Sequence, residues 1–225
     1  MAHLDKAAWQ FLSDLAANNN REWFHENKKK FETIVKQPFE EIITEVIDRI
    51  SDQDPALATT AKEAIFRIYK DTRFSNDKRP YKEHVSAHLS SFGKQAPIVD
   101  GLYIHLSASE DSFVAAGAYM PDKVQLKAIR DAIIAEPERV DSILSNPELK
   151  KLYGDLQGEK NKILPQPYKD YAAQYPLLWH KQYLLTYTTS NAEDLFLRED
   201  IVDRLVHFYE VARPWSLFMR DALKA

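Results

Sequence analysis

The chain has 225 residues, 44% of them hydrophobic and 28% charged, and 30 lysines and arginines against 34 acidic residues give a formal net charge of −4. This composition is typical of a globular protein and excludes a disordered chain, while the absence of cysteine excludes disulfides, cysteine-ligated metal sites and thiol catalysis. Because no apolar stretch approaches the roughly 20 residues of a membrane helix and the N-terminus lacks the layout of a signal peptide, we expect a cytoplasmic protein without a membrane partner.

Residues 1–50 predict three helices. Apolar residues recur at helical spacing in the first helix, which ends at the polar residues 18–20, and Asn20 is predicted to cap the second helix. Pro38 is expected to begin the third helix, because proline is tolerated in a first helical turn. That helix carries the densest apolar stripe and should be the best buried of the three.

From about Ile65 to Met120 the period of the hydrophobic pattern changes from that of a helix to that of a strand. Three runs alternate, and the last two are joined by a short polar turn at residues 108–112, as in an antiparallel hairpin. One face of the predicted sheet should be apolar and the other polar. The polar face is expected to carry His84, Ser86, His88, Tyr103, His105 and Ser107.

The C-terminal half predicts helices around one further strand. The pattern Asp122-x-x-Gln125 is typical of a helix start. Residues 153–176 hold four tyrosines, which favours an ordered connection over a disordered linker, and residues 183–189 predict a strand. A final amphipathic helix is expected to be interrupted at Pro214.

Helices at both ends of a run of antiparallel strands predict the α+β class. We expect an antiparallel sheet covered by the N-terminal, middle and C-terminal helices, in a single domain of residues 1–225. The order of the strands and the oligomeric state stay open.

Residues 67–82 are distinguished by their charge, because six cationic and two acidic side chains give this segment a net charge of +4. Such a concentration of cations attracts anions, and guanidinium groups match the geometry of phosphate and carboxylate. We therefore predict a pocket for a small anionic ligand near the polar sheet face, in which Asp71 orients Arg67 or Arg73 and the Tyr81 hydroxyl caps the ligand. The predicted ligand-binding residues are Arg67, Lys70, Asp71, Arg73, Lys78 and Tyr81.

The same segment resembles the signature of a known family. Its pattern is Arg67-x-x-Lys70-Asp71-x-Arg73-Phe74-Ser75-x-Asp77-Lys78-x-x-Tyr81. It is similar to that of a bacterial conserved hypothetical family, a domain of unknown function with Arg-x-x-Arg-Asp-x-Arg-Phe followed by Asp/Asn-Lys-x-x-Tyr. Residues 18–24 and 117–121 resemble the same family, whereas Lys70 departs from its arginine and gives up the planar fork. The resemblance implies one domain and a bacterial distribution, but no activity.

The residues leave open whether the pocket catalyses a reaction or only captures a ligand. An enzyme would need a proton-transfer group, for which His88, His105 and Asp71 are the candidates. A rival interpretation is a nucleic-acid-binding module in which Tyr69, Phe74 or Tyr81 stacks on bases, although the acidic chain counts against it. A third is that the segment is structural or docks a partner protein.

No cofactor or metal is predicted. The five glycines form neither a dinucleotide-binding nor a phosphate-binding loop motif. His84 and His88 would lie about 13 Å apart on one strand, too far to share an ion.

Overall fold

Four antiparallel strands form one sheet in the computed structural model, which describes residues 2–73 and 76–224. In chain order they are β1 (His84–Leu89), β2 (Ile98–Ser107), β3 (Ser112–Ala118) and β4 (Tyr183–Thr189). Their order across the sheet is β1-β2-β3-β4. The predicted hairpin is confirmed as β2 and β3, and the C-terminal strand lies at the edge of the sheet beside β3.

Helices precede, interrupt and follow the sheet. In chain order they are α1 (Lys6–Ala17), α2 (Arg21–Phe31), α3 (Gln37–Gln53), α4 (Ala61–Ala64), α5 (Lys123–Ala135), α6 (Pro137–Leu144), α7 (Pro147–Tyr153), α8 (Tyr168–Tyr171) and α9 (Ile201–Lys224). This arrangement confirms the predicted α+β class. No helix in the described part of the chain combines the length and the apolar character that crossing a bilayer requires.

The second and third predicted helices are joined without a break. A π-helical segment, Glu32–Lys36, joins α2 to α3, and the Gln37 amide donates to the Glu32 carbonyl, five residues back. This wider turn accommodates Pro38, which cannot donate a backbone hydrogen bond. The prediction that Pro38 begins the third helix is confirmed, because this residue lies in the first turn of α3, and α3 is as well buried as predicted.

The interruption predicted at Pro214 is wrong, because α9 runs through this residue. The side chains that follow the proline, Trp215, Phe218 and Met219, are completely buried. Burial of large side chains of this kind stabilises a helix by more than the roughly 3 kcal/mol that an internal proline costs.

The two faces of the sheet are packed differently. The apolar face lies against α9, and Ala87, Ile104 and Val114 are fully buried there. The polar face is covered in part by residues 65–66, since the Phe66 amide donates to the Ser86 carbonyl at 3.0 Å and the Phe66 ring lies 6.3 Å from that of Tyr103. Two faces of contrasting polarity are thus confirmed, but His88 and His105 on the polar face are buried.

A buried ion network fastens α9 to the rest of the fold. Arg220 donates from Nε to Asp100 on β2 at 2.6 Å and from Nη1 to Asp54 after α3 at 2.9 Å. Asp100 also accepts from the Ser90 hydroxyl and from the Ser91 amide. Because Arg220 bonds to carboxylates that follow α3 and lie on β2, the network positions three elements relative to each other.

Candidate anion-binding cleft

Residues 67–82, hereafter the signature loop, fold into a closed loop beside the polar face of the sheet. Two backbone bonds close its base, from the Lys70 amide to the Pro80 carbonyl at 2.9 Å and from the Lys82 amide to the Ile68 carbonyl at 2.8 Å. Phe74 and Ser75 lie outside the described residues, and with them the predicted stacking role of Phe74.

Most charged side chains of the signature loop bond to other residues of the same loop. Asp71 accepts from Arg73 at 2.7 Å, and these hydrogen bonds lower the pKa of the Asp71 carboxyl to about 2. Asp77 accepts from Lys70 at 2.5 Å and pairs with Arg79 at 2.8 Å. The Lys78 ammonium, which is not held by a carboxylate of the described chain, donates to the Thr72 carbonyl at 3.0 Å. These contacts define the shape of the loop.

Tyr81 is fixed by the turn between α1 and α2. The Asn19 side chain donates to the Tyr81 carbonyl at 3.0 Å and accepts from the Tyr81 amide at 3.1 Å. The Phe24 ring stacks on the Tyr81 ring with centroids 4.1 Å apart. Burial raises the pKa of the Tyr81 hydroxyl. Residues 18–24 and the signature loop therefore form one local unit, although they are distant in sequence.

A cleft of about 770 Å³ lies between α2, α3 and the signature loop, and we call it the cationic cleft. Its apolar lining is formed by Phe24, Phe31, Phe39, Ile65, Phe66 and Val85. Its cationic lining is formed by Lys28, Lys36, Lys62, Arg67, Lys82 and Lys94, against three acidic residues, Glu32, Glu40 and Asp71. The cleft thus combines an aromatic floor with an excess of positive charge.

The acidic residues of the cationic cleft are already paired. Glu32 lies 3.9 Å from Lys28, Glu40 lies 3.7 Å from Lys36, and Asp71 is held by Arg73. Within residues 2–73 and 76–224, Arg67, Lys82 and Lys94 form no ion pair.

Two of these cations, Lys82 and Lys94, lie around one aromatic ring. The Lys82 and Lys94 ammonium groups are 4.8 and 6.0 Å from the centroid of Phe66, and Lys94 also donates to the Ile65 carbonyl at 2.9 Å. Burial lowers the pKa of Lys82, and the positive charges of Arg67 and Lys94 lower it further. An arrangement of this kind can bind an anion through charge-assisted hydrogen bonds.

The structure divides the predicted ligand-binding residues among three places. Arg67 and Asp71 line the cationic cleft. Lys70 and Tyr81 line a second cleft of about 610 Å³, which shares Phe24, Lys28 and Tyr69 with the first. Arg73 and Lys78 line neither of these two clefts. Sequence reasoning missed Lys94, which precedes β2 and shows no local signal that links it to the signature loop.

The candidate proton-transfer groups lie in different environments. Asp71 lines the cationic cleft, whereas His88 and His105 do not. His88 is buried with Nδ1 2.9 Å from the Lys94 carbonyl oxygen, and burial lowers its pKa. Its Nε2 has no hydrogen-bond partner in the described part of the chain.

His105 belongs to a separate cluster with His84 and Glu110, hereafter the histidine cluster. His105 Nε2 and His84 Nδ1 each lie 3.1 Å from Oε1 of Glu110, and the two imidazole centroids are 3.9 Å apart. Burial lowers the pKa of both imidazoles. For His84, burial together with the charges of His105 and Lys82 lowers the pKa to about 3. Glu110 lies in the turn after β2, and the sequence pattern gave no sign that it folds back toward the strands.

Comparison with known families places most of the chain in a family. A family model described as "Conserved hypothetical protein (DUF2461)" matches residues 7–218, which include both clefts and the histidine cluster. This match confirms the resemblance to a conserved hypothetical family. Neither the curated proteins nor the solved structures contain a match to the chain.

Proposed function

This chain belongs to the conserved hypothetical family DUF2461, and we propose that it binds a small anionic ligand in the cationic cleft, through a phosphate or carboxylate group carried on an apolar body. One observation carries the proposal. Arg67, Lys82 and Lys94 converge on one cleft and form no ion pair within the described residues.

The unpaired cations supply the binding energy for the anionic group. Like charges that face a common, partly desolvated space repel each other, and a bound anion converts this repulsion into attraction. Hydrogen bonds to charged groups contribute about 1.5–3 kcal/mol each. The guanidinium of Arg67 adds a planar fork that can hold two oxygens of one phosphate or carboxylate.

The aromatic floor favours a ligand larger than an inorganic ion. A volume of about 770 Å³ falls within the range typical of small-molecule sites, which combine apolar walls with a few polar groups. Phe66 contacts both lysines and also lines the cleft, so an apolar group on this floor would lie beside its own anionic group.

Capture of the ligand requires only the cations, whereas catalysis would also require a proton-transfer group. Asp71 lines the cleft, but its carboxylate is held by Arg73. His88 and His105 remain candidates on the sheet face. Binding of the ligand is therefore the function that the cleft residues support.

The test measures binding by calorimetry in the presence of a chelator, with phenyl phosphate, inorganic phosphate, benzoate and a short single-stranded oligonucleotide as probes. We expect phenyl phosphate to bind more tightly than inorganic phosphate. Arg67→Gln and Lys82→Gln should each weaken binding about tenfold, which corresponds to about 1.4 kcal/mol. The control is Lys36→Gln, because Lys36 lines the same cleft but is paired with Glu40.

The proposal fails if no small anion binds, or if Lys36→Gln weakens binding as much as Arg67→Gln does. It also fails if only the oligonucleotide binds with an affinity that falls steeply with salt, because that result would indicate phosphate-backbone binding. Melting temperatures of all variants without ligand separate a loss of binding from a loss of folding.

A further inference from the structure

The histidine cluster brings three potential metal-ligand atoms together near the start of β1 and the end of β2. His84 Nδ1, His105 Nε2 and a carboxylate oxygen of Glu110 all lie within 4.8 Å of one another. We propose that the cluster binds one divalent transition-metal ion through these three atoms. This site stands independently of the proposed anion binding, because none of Arg67, Lys82 and Lys94 takes part in it.

The distances fit a single ion. Zinc binds imidazole nitrogen and carboxylate oxygen at about 2.0–2.2 Å, so that neighbouring ligand atoms of a tetrahedral site lie about 3.4 Å apart. Glu110 Oε1 lies 3.1 Å from both imidazole nitrogens. A small outward rotation of the Glu110 carboxylate would lengthen these distances to those of a tetrahedral site. Glu110 has room for this rotation, since its side chain is 57% exposed.

The strands hold the imidazoles in place before an ion arrives. In the β1–β2 register, Ser86 lies opposite His105 and His84 lies opposite Ser107, so the two histidines are diagonal neighbours on one sheet face. The His105 ring stacks on Phe113 of β3 with centroids 4.6 Å apart. Rigid ligands on strands give a more precisely placed metal site than ligands on loops.

This arrangement differs from the one that the sequence excluded. The sequence excluded a metal ion shared by His84 and His88, which lie on the same strand. The structure instead joins His84 to a histidine on the neighbouring strand and to a carboxylate from the turn. Imidazole and carboxylate ligands suit zinc, iron and manganese rather than metals that require thiolates.

A metal ion at this position would retain an open coordination site. Three protein ligands leave at least one position for water or for a ligand. His84 also lines the cationic cleft, which places the cluster at the edge of that cleft.

The test uses chelator-treated, desalted protein titrated with Co²⁺, which reports its coordination by visible absorption, and with Zn²⁺ by calorimetry. We expect one ion per chain, with a Co²⁺ spectrum of nitrogen and oxygen coordination. His84→Gln, His105→Gln and Glu110→Gln should each weaken binding at least about tenfold. Because Glu110 is exposed, its replacement should leave the melting temperature unchanged. The control is His207→Gln, since His207 lies 3.9 Å from Glu148 and forms a simple histidine–carboxylate pair.

Two results would overturn this inference. In the first, the wild type binds Co²⁺ no more tightly than Glu110→Gln does, and the cluster is then a set of hydrogen bonds only. In the second, His207→Gln loses the ion and the three cluster variants retain it. Since the anion assay is done in chelator, failure of this inference leaves the result for the anion unaffected.

Discussion

Asn19 and Tyr81 are 62 residues apart, and the side-chain amide of Asn19 bonds to both backbone polar groups of Tyr81. The same amide nitrogen also donates to Glu83 at 2.9 Å. Asn19 thereby attaches the turn between α1 and α2 to the base of the signature loop. This contact fixes one wall of the cationic cleft, because Phe24, which lines the cleft, stacks on Tyr81.

We predict that Asn19→Ala destabilises the protein by about 1–3 kcal/mol, because it leaves partly buried backbone groups of Tyr81 without partners. The measurement is the midpoint of chemical denaturation. Asn18→Ala is the control, since the side chain of Asn18 is exposed and bonds only to the nearby Asp14 carbonyl. An equal loss of stability in both variants would contradict the role assigned to Asn19.

Asp77→Asn should loosen the signature loop. Asp77 bonds to Lys70 and Arg79, which lower the pKa of its carboxyl, and the amide loses the charge that holds both cations. Limited proteolysis with trypsin measures this effect, because cleavage after Lys78 requires an opened loop. We expect faster cleavage than in wild type or in Asp111→Asn, which changes an exposed turn carboxylate. Unchanged cleavage would show that the loop is held by its other contacts.

Arg220→Leu should destabilise the fold by about 3–5 kcal/mol, because it leaves two buried carboxylates without their cation. The measurement is again the free energy of unfolding. Asp54 and Asp100 would both lose their bond to the guanidinium. Arg139→Leu is the control. Arg139 lies on α6 and pairs at the surface with Asp221, the residue that follows Arg220 on α9. A loss below about 1 kcal/mol, typical of a surface pair, would contradict the importance of the network.

The same network predicts acid sensitivity. Burial raises the pKa of the Asp54 carboxyl, but hydrogen bonds and the charge of Arg220 outweigh burial and hold the pKa below 3.8. The contribution of Asp54 to stability is therefore present above pH 3.8 and is lost as the pH falls through the folded-state pKa. We expect the stability difference between wild type and Asp54→Asn to shrink on acidification below that pH. The control is Asp52→Asn, since Asp52 is an exposed residue near the end of α3. A stability difference between wild type and Asp54→Asn that stays constant on acidification would contradict the assignment.

Gly117→Ala should be strongly destabilising. Gly117 has φ +113°, and an added Cβ would lie 2.0 Å from the Tyr183 carbonyl oxygen of the neighbouring strand. Gly93 provides a matched control, since its φ is +83° but a Cβ there would meet no atom within 4 Å. Gly93→Ala should cost about 1–2 kcal/mol from backbone strain alone, and Gly117→Ala clearly more. Melting temperatures measure both, and equal losses would show that strand β4 yields to the added methyl group.

Local sequence patterns were sufficient to predict the secondary structure. Alternation located the strands because side chains on a pleated strand point to opposite faces. Asn20 and Asp122 were recognised as caps, and both accept the expected backbone hydrogen bonds. Pro38 lies in the first turn of α3 as predicted, whereas Pro214 was misjudged because the cost of a proline is local and the burial that outweighs it comes from residues elsewhere in the fold.

The cationic segment was equally visible in the sequence, since charge concentration is a local property. The sequence did not predict which of these cations are neutralised by neighbouring groups, because this depends on side-chain geometry within the loop. Lys70, Arg73 and Lys78 form contacts inside the loop, and Arg67 faces the cleft.

The sequence by itself determined the α+β class and the place where positive charge is concentrated, because these follow from periodicity and composition along the chain, and the signature residues 67–81 carried the family resemblance. Only the tertiary structure placed Lys94 opposite the signature loop and Glu110 against His84 and His105. These contacts join segments separated by turns, and a turn's backbone geometry, rather than its composition, decides which side chains meet.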